Sequence, residues 1–204
     1  MRMGPTTSRR ACVGAAAVAL VVGVVAGCSG GGAKPGPAAT TASSTPTPSP
    51  SPTASPTPDT SVKPVRPAAM DQVSAAGAEA VAVYFLNLYP YVYATNDLTE
   101  WKALSHPECV FCKSVIDNVE KQVAARTRTE GGLVTTERID TVPISSVLFS
   151  VRMVASQQAA VVRGNDGSTV KETGNSRFGL DVAVLSTGSG WIVRGIEVQD
   201  APAS

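Results

Sequence analysis

Histidine occurs once in these 204 residues, at His106, and cysteine only four times. Cys12 and Cys28 belong to an N-terminal apolar stretch, which leaves Cys109 and Cys112 for the rest of the chain. One imidazole and two thiols do not supply the preferred ligands of a four-coordinate zinc site, so no metal is expected. Basic runs are missing too. Over residues 68–204 there are 11 Lys+Arg against 15 Asp+Glu, a net −4 that the whole-chain value of +1 conceals. A mildly acidic region without an Arg/aromatic stripe makes a poor nucleic-acid binder, and none is expected as a partner. No serine motif or acid pattern accompanies His106 to form a triad, so no catalytic residue and no cofactor are assigned. The longest apolar run, residues 11–26, has 16 residues, short of the ~20 that a membrane-spanning helix needs.

That short run has its own meaning. Arg2, Arg9 and Arg10 precede it without an acid, and it ends in Val25-Ala26-Gly27-Cys28. A basic start, an apolar core and small residues before a cysteine resemble a lipoprotein export signal. The expectation is a signal peptide over residues 1–27, cleavage before Cys28, and a diacylglycerol on its thiol that anchors the chain to the outer face of the cell membrane. From Lys34 to Pro67 the chain is almost entirely Pro, Thr, Ser and Ala, and ten of its fifteen prolines fall there. Proline removes backbone donors and fixes φ, and there is too little apolar content to bury, so residues 28–67 read as an anchored, disordered tether. Extended at ~3.1 Å per residue, the Pro-rich part reaches roughly 100 Å.

Residues 68–201 then read as one α+β domain, helices first and an antiparallel sheet afterwards. Val81, Tyr84, Phe85, Leu88 and Val92 form one helical stripe behind a Ser74 N-cap, with Pro90 expected to kink or end that helix. Asp97-Leu98-Thr99-Glu100 resembles a capping box opening a short helix through Leu104, and Ser105-His106-Pro107-Glu108 resembles a second one. The helix after it has Val115, Ile116, Val119 and Val123 as its apolar face, with Lys113, Asp117 and Lys121 opposite. After Gly131-Gly132 come strand patterns. Asn165-Asp166-Gly167 and Thr187-Gly188-Ser189-Gly190 read as turns. Phe178, Leu180, Val182 and Val184 alternate strictly, as do Ile192, Arg194, Ile196 and Val198.

The helix residues 80–85, the Tyr93-Ala94-Thr95-Asn96-Asp97 helix end, Leu104-Ser105, the Cys109-x-x-Cys112 pair with Ile116-Asp117, and the closing Trp191-Ile192-Val193 together resemble the actinobacterial lipoproteins with DUF6318 domains. More broadly, the order of elements resembles the NTF2-like cone. The resemblance implies a lipid-anchored, two-cysteine, cone-shaped domain and brings no catalytic residues.

Cys109 and Cys112 lie three residues apart at a helix start, where Cα atoms ~5 Å apart allow a disulfide. The expected role is a structural staple. The alternative is a redox pair, since a helix N-terminus lowers a thiol pKa, but no βαβ unit surrounds it. Tyr84, Tyr91, Tyr93, Trp101 and Trp191 are either core residues or the lining of a pocket between helix and sheet. The leading expectation is a non-catalytic binding or interaction domain, with a cell-envelope protein or a small apolar ligand as partner. The alternative is a small-molecule enzyme of the cyclase/isomerase kind using Asp181 or Tyr84, although Asp181 has the opposite parity to its apolar strand neighbours.

Overall fold

The computed structural model describes residues 58–202, so the expected export signal, Cys28 and most of the expected Pro-rich tether lie outside the described residues. A 3-10 turn (Ala68–Asp71) leads into helices α1 (Ala75–Thr95), α2 (Thr99–Leu104) and α3 (Val110–Ala124). Seven strands follow: β1 (Thr127–Gly131), β2 (Val134–Pro143), β3 (Leu148–Gln157), β4 (Ala160–Gly164), β5 (Thr169–Thr173), β6 (Ser176–Ser186) and β7 (Trp191–Asp200). The α+β class is as expected, with helices on one side of bent antiparallel sheet.

Two ladders make that sheet, one of order β2-β3-β6-β7 and one of order β1-β4-β5. They are continuous at a fold line. The Gly132 N–H donates to the Ala159 carbonyl at 3.0 Å, and the Gln158 N–H to the Leu133 carbonyl at 2.9 Å. Gly131 and Gly132 there have φ of 80° and 72°. A Cβ on Gly131 would stand 2.8 Å from the Ala159 carbonyl oxygen, so the bend requires glycine. The Gly-Gly pair is thus a corner within the sheet and not its beginning, because β1 precedes it.

Ser74 caps α1, its Oγ accepting from the Gly77 N–H at 3.1 Å. The helix does not stop at Pro90. It runs through to Thr95, with Pro90 buried, and ends where Asn96 takes a left-handed conformation with φ 62°. Burial of Val81, Tyr84, Phe85, Leu88 and Val92 against β1, β2, β3 and β6 outweighs one missing hydrogen bond. The first expected capping box is not formed, since Leu98 is the N-cap of α2 and makes no side-chain cap bond. Asp97 Oδ1 accepts from the Thr99 N–H at 3.0 Å, while Glu100 turns away to accept from Lys63 Nζ at 2.9 Å. The second box is not made at all. Ser105 Oγ donates to the Trp101 carbonyl at 2.6 Å, and α3 starts later, with Cys109 as its N-cap. Val115 and Val119 are buried on α3 as expected, but Val123 is exposed and Gln122 takes the inward place.

The last strand departs from its sequence pattern. Ala183 pairs with Gly195 and Val184 with Val193, so Arg194 is an extra residue at a β-bulge. A bulge shifts the parity by one. Val193 therefore faces the core before it and Ile196 after it, and the Ile192–Val198 alternation is not a single face. On β6 the alternation holds, with Leu180, Val182 and Val184 buried. At the centre Phe85 and Trp101 stack at 3.9 Å, and Trp191 Nε1–H donates to the Met70 carbonyl at 2.7 Å, tying β7 to the 3-10 turn. Residues 58–67, which composition places in the tether, lie on the domain through Lys63–Glu100 and Arg66–Asp71.

Gly77 packs against that same turn, and a Cβ there would come within 1.9 Å of the Gln72 carbonyl oxygen. In an open helix Gly→Ala gains about 1 kcal/mol. Here Gly77→Ala is expected to destabilise by roughly 1–3 kcal/mol, the cost of forcing a packed backbone apart. Thermal denaturation of the two proteins checks the sign, and a raised Tm for the variant would contradict the packing described.

Candidate functional site

Two hollows bear on the expected pocket between helix and sheet, the interior of the domain and a cleft beside α1. The interior is closed by its own side chains. Phe85, Trp101, Tyr89, Phe111, Leu180 and Ile196 leave a space of only about 10 Å³, room for about one water. Tyr84, Trp101 and Trp191 are all core residues, with their side chains spent on packing or on hydrogen bonds. Tyr91 points elsewhere, its hydroxyl donating to Asp97 at 2.9 Å. The five expected pocket aromatics are therefore not brought together, and of them Tyr93 lines the cleft while Trp101 borders the small interior space.

The cleft has a volume of about 540 Å³, within the ordinary range of ligand sites. Tyr89 and Tyr93 on α1 form one wall, with Asn118 of α3 beside them. Val162 of β4 and Lys171 and Thr173 of β5 make the floor. Val162 and Lys171 are cross-strand partners, so they share that face of the sheet. The two tyrosine rings lie 5.0 Å apart with a 55° angle between them. Tyr89 also meets Phe111 and Trp101 at 6.3 Å each, which links the cleft wall to the core. Burial, and then the neighbouring Tyr93, push the Tyr89 phenol above its usual range, so it remains a neutral hydroxyl. No aspartate or glutamate is among the described residues that line the cleft. Tyr89 escapes sequence reading because it lies off the Val81–Val92 stripe, though its i, i+4 spacing to Tyr93 is a usable signal.

Gln122 fixes this geometry. Its amide donates to the Tyr93 carbonyl at 2.7 Å and to Asn96 Oδ1 at 2.8 Å, and its carbonyl accepts from Thr129 Oγ1 at 2.7 Å. Helix α1, helix α3 and strand β1 are joined at one buried point.

The candidates for chemistry are scattered. Asp181 faces outward on the sheet, accepting from Ser150 Oγ at 2.7 Å, as its parity predicts. The expected helical position of His106 is corrected: it lies in the turn before α3, its N–H donating to the Val193 carbonyl at 3.0 Å. Tyr84 lies under the Lys63–Glu100 pair, and burial, then Glu100, raise its pKa. Among the described residues no three His, Cys, Asp or Glu side chains converge.

Cys109 and Cys112 form a disulfide with Cα atoms 5.2 Å apart, and both are 1% exposed. Cys109 Sγ caps α3 by accepting from the Cys112 N–H at 3.2 Å. Trp101 Nε1–H donates to the Cys112 carbonyl at 3.1 Å. Sulfur atoms enclosed this way suit a staple, because thiol exchange needs an accessible sulfur in line with the attacking thiolate.

Residues 49–197 match the family model described as Family of unknown function (DUF6318). The chain belongs to this family. No curated protein matches its sequence. The crystal structure of the intermembrane space region of chloroplast protein ARC6 is similar, with 10% identity, 64% of this chain and 99% of that chain covered, and a TM-score of 0.50. Identity at that level shows the fold alone. A protein assigned as a scytalone dehydratase from Novosphingobium aromaticivorans shares 16% identity over 60% of this chain and 87% of its own, with a TM-score of 0.38. So loose a likeness carries nothing about activity.

Two outcomes are expected of this DUF6318 domain. Gln122→Leu leaves the Thr129 hydroxyl and the Tyr93 carbonyl without their partner, at a cost of about 1–3 kcal/mol, and shifts the Tyr93 ring resonances. Unchanged denaturation and unchanged resonances would show that the joint is not structural. Cys109→Ser/Cys112→Ser is expected to fold with a loss of about 2 kcal/mol, the chain-entropy value for so short a loop. The native disulfide is expected to react with dithiothreitol only as fast as the domain opens. Fast reduction of the folded protein would reverse the staple reading.

Proposed function

We propose that this protein is a cell-envelope lipoprotein, anchored by a diacylglycerol on Cys28 and facing outward, whose DUF6318 domain binds a partner and performs no chemistry. The observation that carries the reading is the contrast between a filled cone and an open, aromatic-walled cleft of about 540 Å³. An enzyme of the cyclase/isomerase kind needs a cavity with an inward acid or base. In this chain Asp181 stands on the outer face of the sheet, and Tyr84 is walled in beneath Lys63 and Glu100. The Val25-Ala26-Gly27-Cys28 sequence and the Pro/Thr/Ser stretch after it support display on a stalk. Membrane attachment by the acyl chains and capture by the cleft are then separate tasks of separate segments.

The anchor is tested by intact-mass analysis of the mature protein and of Cys28→Ala. The expected mature form begins at Cys28 and has diacylglycerol mass, and the variant leaves the membrane fraction or remains an uncleaved precursor. A mature N-terminus elsewhere would overturn it. For the cleft, a photo-crosslinking side chain replaces Lys171 in one chain and Arg152, on the opposite sheet face, in another. Adducts are expected from Lys171 only, and equal labelling at both positions would remove the cleft from the reading.

A further inference from the structure

A sheet with one face on the core is polar on its other face, and one end of the β2-β3-β6-β7 ladder breaks that rule. Residues 141–151 and 182–193 contain no Asp, Glu, Lys, Arg or His. The first run holds the β2–β3 turn and the second the β6–β7 turn. The Ser186 N–H donates to the Val147 carbonyl at 2.8 Å, so both turns lie at the same end. Phe149, Val184 and Val193 belong to the core, so the alternate residues Leu148, Leu185 and Ile192 face outward. Register places these three in one cross-strand row. Ile144 and Val147, at the adjoining turn, are 61% and 42% exposed. The next row, Ser150–Ala183–Gly195, has only small side chains, and a Cβ on Gly195 would meet no atom within 4 Å. Charge returns only beyond it, in the row Asp140–Arg152–Asp181–Glu197.

The chemistry of this strip narrows what covers it. The chain's own preceding segment does not match, since residues 29–57 contain no Val, Ile, Leu, Met or aromatic residue. A lipid surface does not match either. Neither run has a cation to meet an acidic headgroup. Residues 58–61 border Gly131, Leu133 and Gln158, at the other end of β2 and β3, about 30 Å away along ten-residue strands. The strip thus lies at the end of the sheet far from where the Pro-rich stretch joins the domain. It needs an uncharged aliphatic counterpart, and the same strip on a second copy is one.

We propose that the strip packs face to face on that of a second copy, about a two-fold axis through the Leu148–Leu185–Ile192 row. Five aliphatic side chains so placed present roughly 300–400 Å² of apolar surface, the size at which a patch marks an interaction. With the small polar residues around them, two copies bury about 1,000 Å² in total, the lower end for a specific pair. The small side chains of the Ser150–Ala183–Gly195 row let two sheets approach to about 10 Å. Arg152 is four residues beyond Leu148, so this axis keeps the two charged rows about 28 Å apart, well beyond a screening length of about 8 Å. A contact of this size is weak in dilute solution. Attachment of both copies to one membrane raises their effective concentration, and that part rests on the proposed anchor at Cys28.

The test places a photo-crosslinking side chain at Val147 of the full-length protein in its own membrane. An adduct of twice the monomer mass is expected, and none of that mass from the same side chain at Lys171. Ile144→Asp is expected to cut its yield at least tenfold with Tm unchanged, because a carboxylate buried in an apolar contact has no partner there. Ile192→Ser tests the same strip should Ile144→Asp lower Tm. Equal yields at low and high salt are expected from the separation of the charged rows. No adduct, an adduct with lipid or with a different protein, a yield that changes with salt, or a yield unaffected by both variants would each overturn the proposal. Paired copies of a mature chain that has no diacylglycerol would support the strip and remove the anchor instead.

Discussion

The side-chain amide of Gln122 is the point on which the open end of the domain depends. It is 8% exposed, so its groups must be satisfied internally or cost about 1–3 kcal/mol each. All are satisfied, by the last turn of α1, by the left-handed Asn96 after it, and by Thr129 of β1. Polar groups that close on one another in a dry setting specify geometry more sharply than apolar contacts do, since each bond has a direction. The consequence is a fixed distance between the tyrosine wall and the sheet floor of the cleft. A leucine of similar size would pack there but would not define where β1 begins relative to α1.

The rest of the domain is divided between a filled half and an open half. Over β2, β3, β6 and β7 the helices cover the inner face, with Trp101 and Phe85 at the centre. Past the Gly131–Gly132 corner the sheet turns and outruns the helices. Strand β5, at the edge of its ladder, is exposed along its whole length. An uncovered inner face beside two tyrosines is what makes a cleft at this end. The disulfide serves the filled half, starting α3 at Cys109 and presenting the Cys112 carbonyl to Trp101.

Sequence legibility followed locality. The Ser74 cap, the α1 stripe, the Lys113–Asp117 pair, the alternation of β6 and the two hairpin turns all depend on neighbours within a few residues, and each is present. The Cys109–Cys112 pairing was likewise readable, because spacing of three at a helix start sets the distance. What failed needed distant partners. Of the two readings of Pro90, a kink or an end, the end is not realised, because burial of the stripe on both sides of it carries the helix on. Ser105 reads as a cap, yet Trp101 takes its hydroxyl. Arg194 reads as part of a regular strand, yet the pairing with β6 bulges there. The five aromatics read as one group because of their type, while the fold sends Trp101 and Trp191 inward and Tyr91 to Asp97.

By itself the sequence determined the class of the domain, the order of most of its elements and the separate Pro-rich stretch, because composition and short-range periodicity govern these. Only the tertiary structure decided where the cavity is. A cavity is the space left over when elements from across the chain have packed, and Tyr89, Asn118, Val162 and Lys171 line the cleft together only because Gln122 and the glycine corner set the helices and the sheet apart.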